Sequence, residues 1–122
     1  MAFIHEGVKQ IEVNELKKIL KTKQENIVVI DVREREEYDE FHIPGIPLIP
    51  MQNIPNVLSD LKQDKEYIFV CRSGNRSHHV ARFLIENGIK DAHNFYGGML
   101  TWDDEVRTGL ENVVTDISKL YE

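Results

Sequence analysis

The run Ile27-Val28-Val29-Ile30 is apolar and β-branched at every position. A strand with one wet face alternates polar and apolar side chains. A run without a polar position therefore points to a central strand covered on both sides, the pattern of a parallel sheet. Segments of strand and helix character alternate around it. Lys9-Gln10-Ile11-Glu12-Val13 alternates as a short half-buried strand would. Asn14 is a good N-cap for a following helix that carries Leu16, Ile19 and Leu20 on one face. Beyond Asp31-Val32-Arg33, the charged stretch Glu34 to Phe41 predicts a short helix, with Tyr38 and Phe41 facing inward and the charges on a solvated face. Three prolines and a glycine make His42 to Pro50 an extended loop with at most one edge strand.

Ile54, Val57, Leu58 and Leu61 predict a helix over Asn53 to Leu61, with Pro55 near its start. Tyr67-Ile68-Phe69-Val70 reads as another buried strand. Ser77 to Asn87 reads as a helix with Val80, Ala81, Leu84 and Ile85 on one stripe and Gly88 as its stop. Ala92 to Tyr96 is a candidate last strand, Gly97-Gly98 a tight turn, and Met99 to Arg107 a short helix containing Trp102. After Gly109, the spacing of Leu110, Val113, Val114, Ile117 and Leu120 predicts an amphipathic C-terminal helix over about 110–121. Its apolar stripe is expected to pack on the domain's own core, with a dimer or partner surface as the other reading. The alternation as a whole favours an α/β fold with a mainly parallel central sheet.

Composition narrows the function. A chain of 122 residues suggests one domain over 1–122. With 15 basic and 21 acidic residues the net charge is −6, which argues against nucleic acid or an acidic membrane surface as the main partner. A single cysteine can form no internal disulfide, so nothing calls for an oxidising compartment. Met1 to Glu6 has neither the basic region nor the long apolar stretch of a signal peptide, and no apolar run approaches the ~18 residues of a membrane span. The expectation is a cytoplasmic protein. The five histidines and one cysteine lack metal-ligand spacing, so no metal and no cofactor is expected.

That one cysteine opens the loop Cys71-Arg72-Ser73-Gly74-Asn75-Arg76-Ser77, at the exit of a buried strand and just before a helix. Parallel-sheet enzymes place their sites beyond the carboxyl ends of the strands. The N-terminus of a helix offers unpaired N–H groups and a positive dipole end, a setting that favours the nucleophilic thiolate. Gly74 permits positive φ, so successive N–H groups can point into one bowl. Arg72 and Arg76 add positive charge, and the bowl is expected to accept an anion beside the sulfur. His78 and His79 are expected to be exposed residues of the first helical turn.

Here the sequence resembles the rhodanese-like sulfurtransferases. The loop reads Cys71-x-x-Gly74-x-Arg76-Ser77, the six-residue active-site loop of that superfamily. Asp31-Val32-Arg33, Glu37-Tyr38 and His42-Ile43-Pro44-Gly45 match its first signature, and Phe95-Tyr96-Gly97-Gly98-Met99-x-x-Trp102 matches its C-terminal one. The resemblance covers a core of about residues 10–109. It departs at Ile46, where the family usually has a small residue, and this is expected to alter packing rather than chemistry.

The resemblance implies a rhodanese-like fold, with a five-stranded, mainly parallel central sheet flanked by helices on both faces. It implies a thiosulfate:cyanide-type sulfurtransferase in which a small anionic donor such as thiosulfate gives its sulfane sulfur to Cys71. The persulfide then passes the sulfur to a thiophilic acceptor, cyanide or an external thiol, including a protein thiol. By position, Cys71 is the nucleophile, and Arg72, Ser73, Gly74, Asn75, Arg76 and Ser77 form the cradle, the two arginines meeting an anionic donor. Asp31 and Arg33 are expected to brace the loop from the neighbouring strand end, and His42 to order its own loop. Since the chain has no second thiol, an external acceptor must take the sulfur.

Two rival readings remain. A phosphatase or arsenate reductase of the related fold would have a longer loop. Only four residues separate Cys71 from Arg76, giving a smaller bowl suited to a sulfur atom. A non-enzymatic binding or regulatory module typically lacks the cysteine that is present here.

Overall fold

The computed structural model describes residues 2–122; Met1, part of the N-terminal stretch read above, lies outside the described residues. Five strands, β1 (Ala2–His5), β2 (Val8–Ile11), β3 (Ile27–Asp31), β4 (Glu66–Val70) and β5 (Ala92–Phe95), form one sheet in the order β1-β2-β5-β4-β3. All neighbours are parallel except β1 and β2. Those two form a hairpin whose turn residues, Glu6 (φ 51°) and Gly7 (φ 79°), both adopt positive φ, as a tight two-residue hairpin turn requires. The fifth strand of the sheet is therefore β1, which had no signal in the sequence beyond its short apolar pair, Phe3-Ile4.

Helices α1 (Val13–Thr22), α2 (Arg35–Glu40), α3 (Ile54–Val57) and α4 (Asn75–Glu86) join the strands. Alternation along the strands sorts the core into two clusters. Val28, Ile30, Tyr67 and Phe69 face Val80, Ala81 and Leu84 of α4. Val29, Ile68 and Val70 face the opposite way, toward Leu16 of α1, together with Phe95 and Met99. The absence of polar residues from Ile27 to Ile30 is thus explained by a sheet buried on both faces. Ile46 is buried in the second cluster, and its carbonyl accepts from the Tyr38 hydroxyl at 2.5 Å, so its bulk is a matter of packing.

Four backbone expectations need correction, and one side chain, Phe41, is exposed at the end of α2 rather than facing inward with Tyr38. Helix α1 begins at Val13 with Glu12 as its cap position, and Asn14 lies inside the first turn. Between Met51 and Asp60 there is no single helix but a 3-10 turn, the four-residue α3 and a second 3-10 turn. Met99 to Arg107 is not a helix. Only Gly98–Leu100 forms a 3-10 turn, because Arg107 N–H is drawn away to the carbonyl of His42 at 2.9 Å in an antiparallel bridge.

The fourth correction concerns the C-terminal helix over about 110–121, which is absent. Leu48 bridges both Asp31 and Val113 in parallel register, so Asn112 to Val114 runs extended beside the sheet, bonded through Leu48 N–H to Asn112 O and Val114 N–H to Leu48 O. Asp116 then caps a new 3-10 turn, Ile117–Tyr121, by accepting from Ser118 N–H at 3.1 Å. The helical spacing was produced by two short pieces that both bury apolar residues: Ile117 enters the α4-side core, and Val114, Leu120 and Tyr121 pack against it. No helix among the described residues is long and apolar enough to cross a membrane.

Candidate active site

Cys71 follows β4 and keeps its alternation, so its side chain points to the same face as Tyr67 and Phe69, at the N-terminus of α4. It is fully buried. Three donors converge on its Sγ: Gly74 N–H at 3.1 Å, Ser77 N–H at 3.4 Å and Ser77 Oγ at 3.2 Å. The two N–H groups belong to the cap and first turn of α4, where no intrahelical carbonyl is available to them. The sulfur takes the place of those missing acceptors, at the positive end of the helix dipole, where negative charge is stabilised.

Two glycines make this possible. Gly74 has φ 98°, and a Cβ there would lie 3.1 Å from Gly97 N and 3.4 Å from Phe95 O. Gly98 comes so close to the loop that a Cβ would overlap the carbonyl oxygens of Cys71 and Arg72. That close approach lets Met99 N–H reach Cys71 O at 2.9 Å and Leu100 N–H reach Arg72 O at 3.0 Å. The Gly97-Gly98 turn is therefore a backbone clamp on the cysteine loop.

One flank of the loop is charged. The Arg76 guanidinium donates to both oxygens of Glu37, at 2.7 and 2.8 Å. The guanidinium holds the Glu37 carboxyl well below its ordinary range, at about 2, and Arg76 is raised in return. Both side chains are about a third exposed. Arg76 is thereby committed to a carboxylate, whereas Arg72 is exposed and pairs with no carboxylate among the described residues. Arg72 lines a hollow of about 270 Å3 with Arg33, Glu37, Phe41, Met99 and Leu100.

The other flank is a buried network of side-chain amides and a hydroxyl that ends on the half-exposed Glu6 carboxylate. The Ser77 hydroxyl, whose one proton can also turn to Cys71 Sγ, lies 2.5 Å from Asn94 Oδ1, and Asn94 Nδ2 donates to Gly74 O at 3.0 Å and to Gln10 Oε1 at 2.8 Å. Gln10 Nε2 in turn donates to Val8 O at 3.2 Å and meets His78 Nδ1 at 3.1 Å, and His78 Nε2 lies 2.7 Å from Glu6 Oε1. Gln10, Ser77, His78 and Asn94 are all buried. His78 is thus not the exposed residue expected, because it lies on the side of α4 that meets β2; His79 is exposed. Glu6, at the outer end, is held below the usual carboxylate range chiefly by its hydrogen bond with His78.

Ser73 and Asn75 are exposed at the rim, lining a hollow of about 280 Å3 whose wall includes Gln10, His78, Asn94 and Tyr96. Asp31 and Arg33 are buried, but they brace each other. Arg33 Nε and Nη2 bind the Asp31 carboxylate at 2.9–3.1 Å, and Nη2 reaches Phe41 O at 2.7 Å. The side chain that holds the loop from that side is Glu37. His42 stacks on Tyr38 with centroids 3.8 Å apart, and its ring nitrogens meet Tyr38 O and Glu111 Oε1, each at 2.8 Å.

Sequence reasoning missed Gln10, Glu37, His78 and Asn94. Gln10 and Asn94 left one signal, a polar residue inside a segment that is otherwise strand-like and buried. Glu37 stood in the matched signature Glu37-Tyr38, but nothing there named its partner, 39 positions away. One group among the described residues could hold a cation: ligand atoms of His5, Glu6 and His78 lie within 4.8 Å of one another. The tautomer opposes it. Val8 O fixes the nitrogen end of the Gln10 amide against His78 Nδ1, so Nδ1 accepts and the ring proton sits on Nε2, the atom a metal would need.

A family model described as "Rhodanese-like domain" matches residues 12–105. A Bacillus subtilis protein that carries the name of a sulfurtransferase is 42% identical over 100 residues, covering 82% of this chain and 95% of its own. A thiosulfate sulfurtransferase of Pseudoalteromonas translucida is 31% identical over 80 residues, covering 66% of this chain and 76% of its own. The crystal structure of a rhodanese-like domain protein from Staphylococcus aureus superposes with a TM-score of 0.72 at 39% identity, covering 81% of this chain and 96% of that one.

Proposed function

The chain belongs to the rhodanese-like domain family, and from that premise we propose that it is a sulfurtransferase that carries sulfane sulfur as a persulfide on Cys71. The observation that carries this reading is the convergence of Gly74 N–H, Ser77 N–H and Ser77 Oγ on one sulfur. These donors stabilise negative charge on Sγ when the thiolate attacks, and again when it leaves. In the loading step Sγ attacks the outer sulfur of a donor such as thiosulfate. The new S–S bond forms, the donor's own S–S bond breaks, and its electron pair departs with sulfite. In the second step an external thiolate or cyanide attacks the outer sulfur, and the electron pair of the Sγ–S bond returns to Cys71.

Arg72 is the guanidinium free to meet an anionic donor, as Arg76 is held by Glu37. The same pairing speaks against phosphate ester chemistry, since the arginine that would grip a phosphate is already neutralised. A thiosulfate-type donor is further supported by the name of the Pseudoalteromonas relative. Incubation with thiosulfate is expected to add the mass of one sulfur atom to the wild-type chain and none to Cys71→Ala, read by intact mass. A wild-type chain that accepts sulfur from no sulfane donor, thiosulfate or polysulfide, would overturn the carrier role.

A further inference from the structure

The Ser77 hydroxyl has one proton and two acceptors within reach, Cys71 Sγ at 3.2 Å and Asn94 Oδ1 at 2.5 Å. It can serve only one of them at a time. Asn94 cannot turn away from this competition. Its Nδ2 is held by Gly74 O and Gln10 Oε1, which only accept, so Oδ1 must face Ser77. Gln10 cannot turn either, since its Nε2 is held by Val8 O and His78 Nδ1. Behind it, His78 is anchored on Glu6, a residue placed at positive φ in the hairpin turn. Gln10, Asn94 and Ser77 are each at most 2% exposed, and although Gln10 and Asn94 edge the 280 Å3 hollow, their hydrogen-bonding partners are protein groups. A buried network in which every member is satisfied is stiff.

We propose that Asn94 is a positioning residue for sulfur transfer: by holding the Ser77 hydroxyl proton away from Sγ, it favours the sulfur-loaded cysteine over the free thiolate. This rests on the persulfide reading above. When Sγ is an anion, its charge draws the Ser77 proton, because hydrogen bonds to ionised acceptors are the stronger ones. Asn94 Oδ1, itself buried, then loses its donor, which opposes that state. When a donor loads Cys71, the Sγ–S bond forms, the donor's S–S bond breaks with its electron pair leaving on the donor remnant, and the negative charge moves to the outer sulfur. The Ser77 proton swings back to Asn94, and the network is complete. On discharge, an acceptor thiolate bonds to the outer sulfur, the Sγ–S pair returns to Sγ, and the proton turns toward it again.

The test is the loading equilibrium with thiosulfate and sulfite at fixed ratio, read as the loaded-to-free ratio by intact mass. Asn94→Leu, close in size and without an acceptor, is expected to lower that ratio about tenfold, the size of one hydrogen bond gained or lost. Asn94→Ala is expected to move it in the same direction. In a Ser77→Ala background, where no hydroxyl proton can be shared, Asn94→Leu is expected to change the ratio less than about twofold, within the spread of uncoupled sites. An equal effect in both backgrounds, or none in either, would overturn the role of Asn94 while leaving the carrier reading intact. Failure of the wild-type chain to load from thiosulfate or polysulfide would remove both.

Discussion

On one side of the Cys71 loop, Arg76 meets Glu37 through two charged hydrogen bonds at the edge of solvent. On the other, Ser77 and Gly74 meet Asn94 through neutral bonds closed off from it. A part-exposed ion pair is worth about 1 kcal/mol at most and weakens with salt and acid. A buried amide left without its partner costs about 1–3 kcal/mol, so its bonds are kept. The charged flank therefore holds the loop softly, and the neutral flank fixes its geometry. Ser77 touches the sulfur from the stiff side, and Arg72 reaches the solvent hollow on the soft side. On the proposed sulfur-transfer reading, positioning of sulfur and admission of the donor fall to different halves of the same loop.

The two flanks join at Gly74, which donates its N–H to Sγ and accepts at its carbonyl from Asn94 Nδ2. Gly74→Val should disturb both at once, since its φ of 98° is strained for any branched residue and its Cβ would press on Gly97 N. Turnover is expected to fall about 100-fold or more, the effect of misplacing a reacting group by about an ångström. Circular dichroism should still report the folded sheet. Turnover close to wild type would mean that neither flank controls the sulfur. Glu37→Gln should act on the soft flank alone. The loop loses a bidentate brace worth about 1 kcal/mol, so kcat should drop about fivefold. The KM for thiosulfate should not rise, because Arg76 becomes a second free cation beside Arg72. A raised KM with kcat intact would show instead that Glu37 shapes the donor site rather than the loop.

The stiff flank was the less legible of the two in the sequence. The runs Ile27 to Ile30 and Tyr67 to Val70 announced a two-sided core because burial on both faces leaves no polar position. The cysteine loop was legible because its glycine, serine and cysteine have local roles within seven residues. Asn94 and Gln10 come from β5 and β2, strands that are neighbours only after the sheet is assembled, and nothing in either segment names the other. Glu37 was read as one more charge on a solvated helix face, which is true of its neighbours. The false C-terminal helix shows the opposite error. Leu110, Val113, Val114 and Ile117 have helical spacing by coincidence, and a long-range pairing of Leu48 with Val113 decided the backbone.

Acid gives the smallest and most graded way of separating the flanks. Glu37 is held at about 2 by Arg76, and Glu111 is held at about 2 chiefly by its hydrogen bond with His42. In the unfolded chain both return to the ordinary 4.5. Between those values the unfolded chain binds protons that the folded one refuses, so folding stability is fully present above about 4.5 and drains away as pH falls toward about 2. Thermal melts across that window should therefore fall steadily in the wild-type chain. Glu37→Gln cannot titrate at that position, so its melting temperature should start lower near neutrality and decline less steeply, leaving the part that belongs to Glu111 and to the other lowered carboxylates, Glu6, Asp103 and Asp116. If the variant's decline is as steep as the wild type's, the Glu37–Arg76 pair is not a source of the acid sensitivity. The soft flank would then have to be sought elsewhere along the loop.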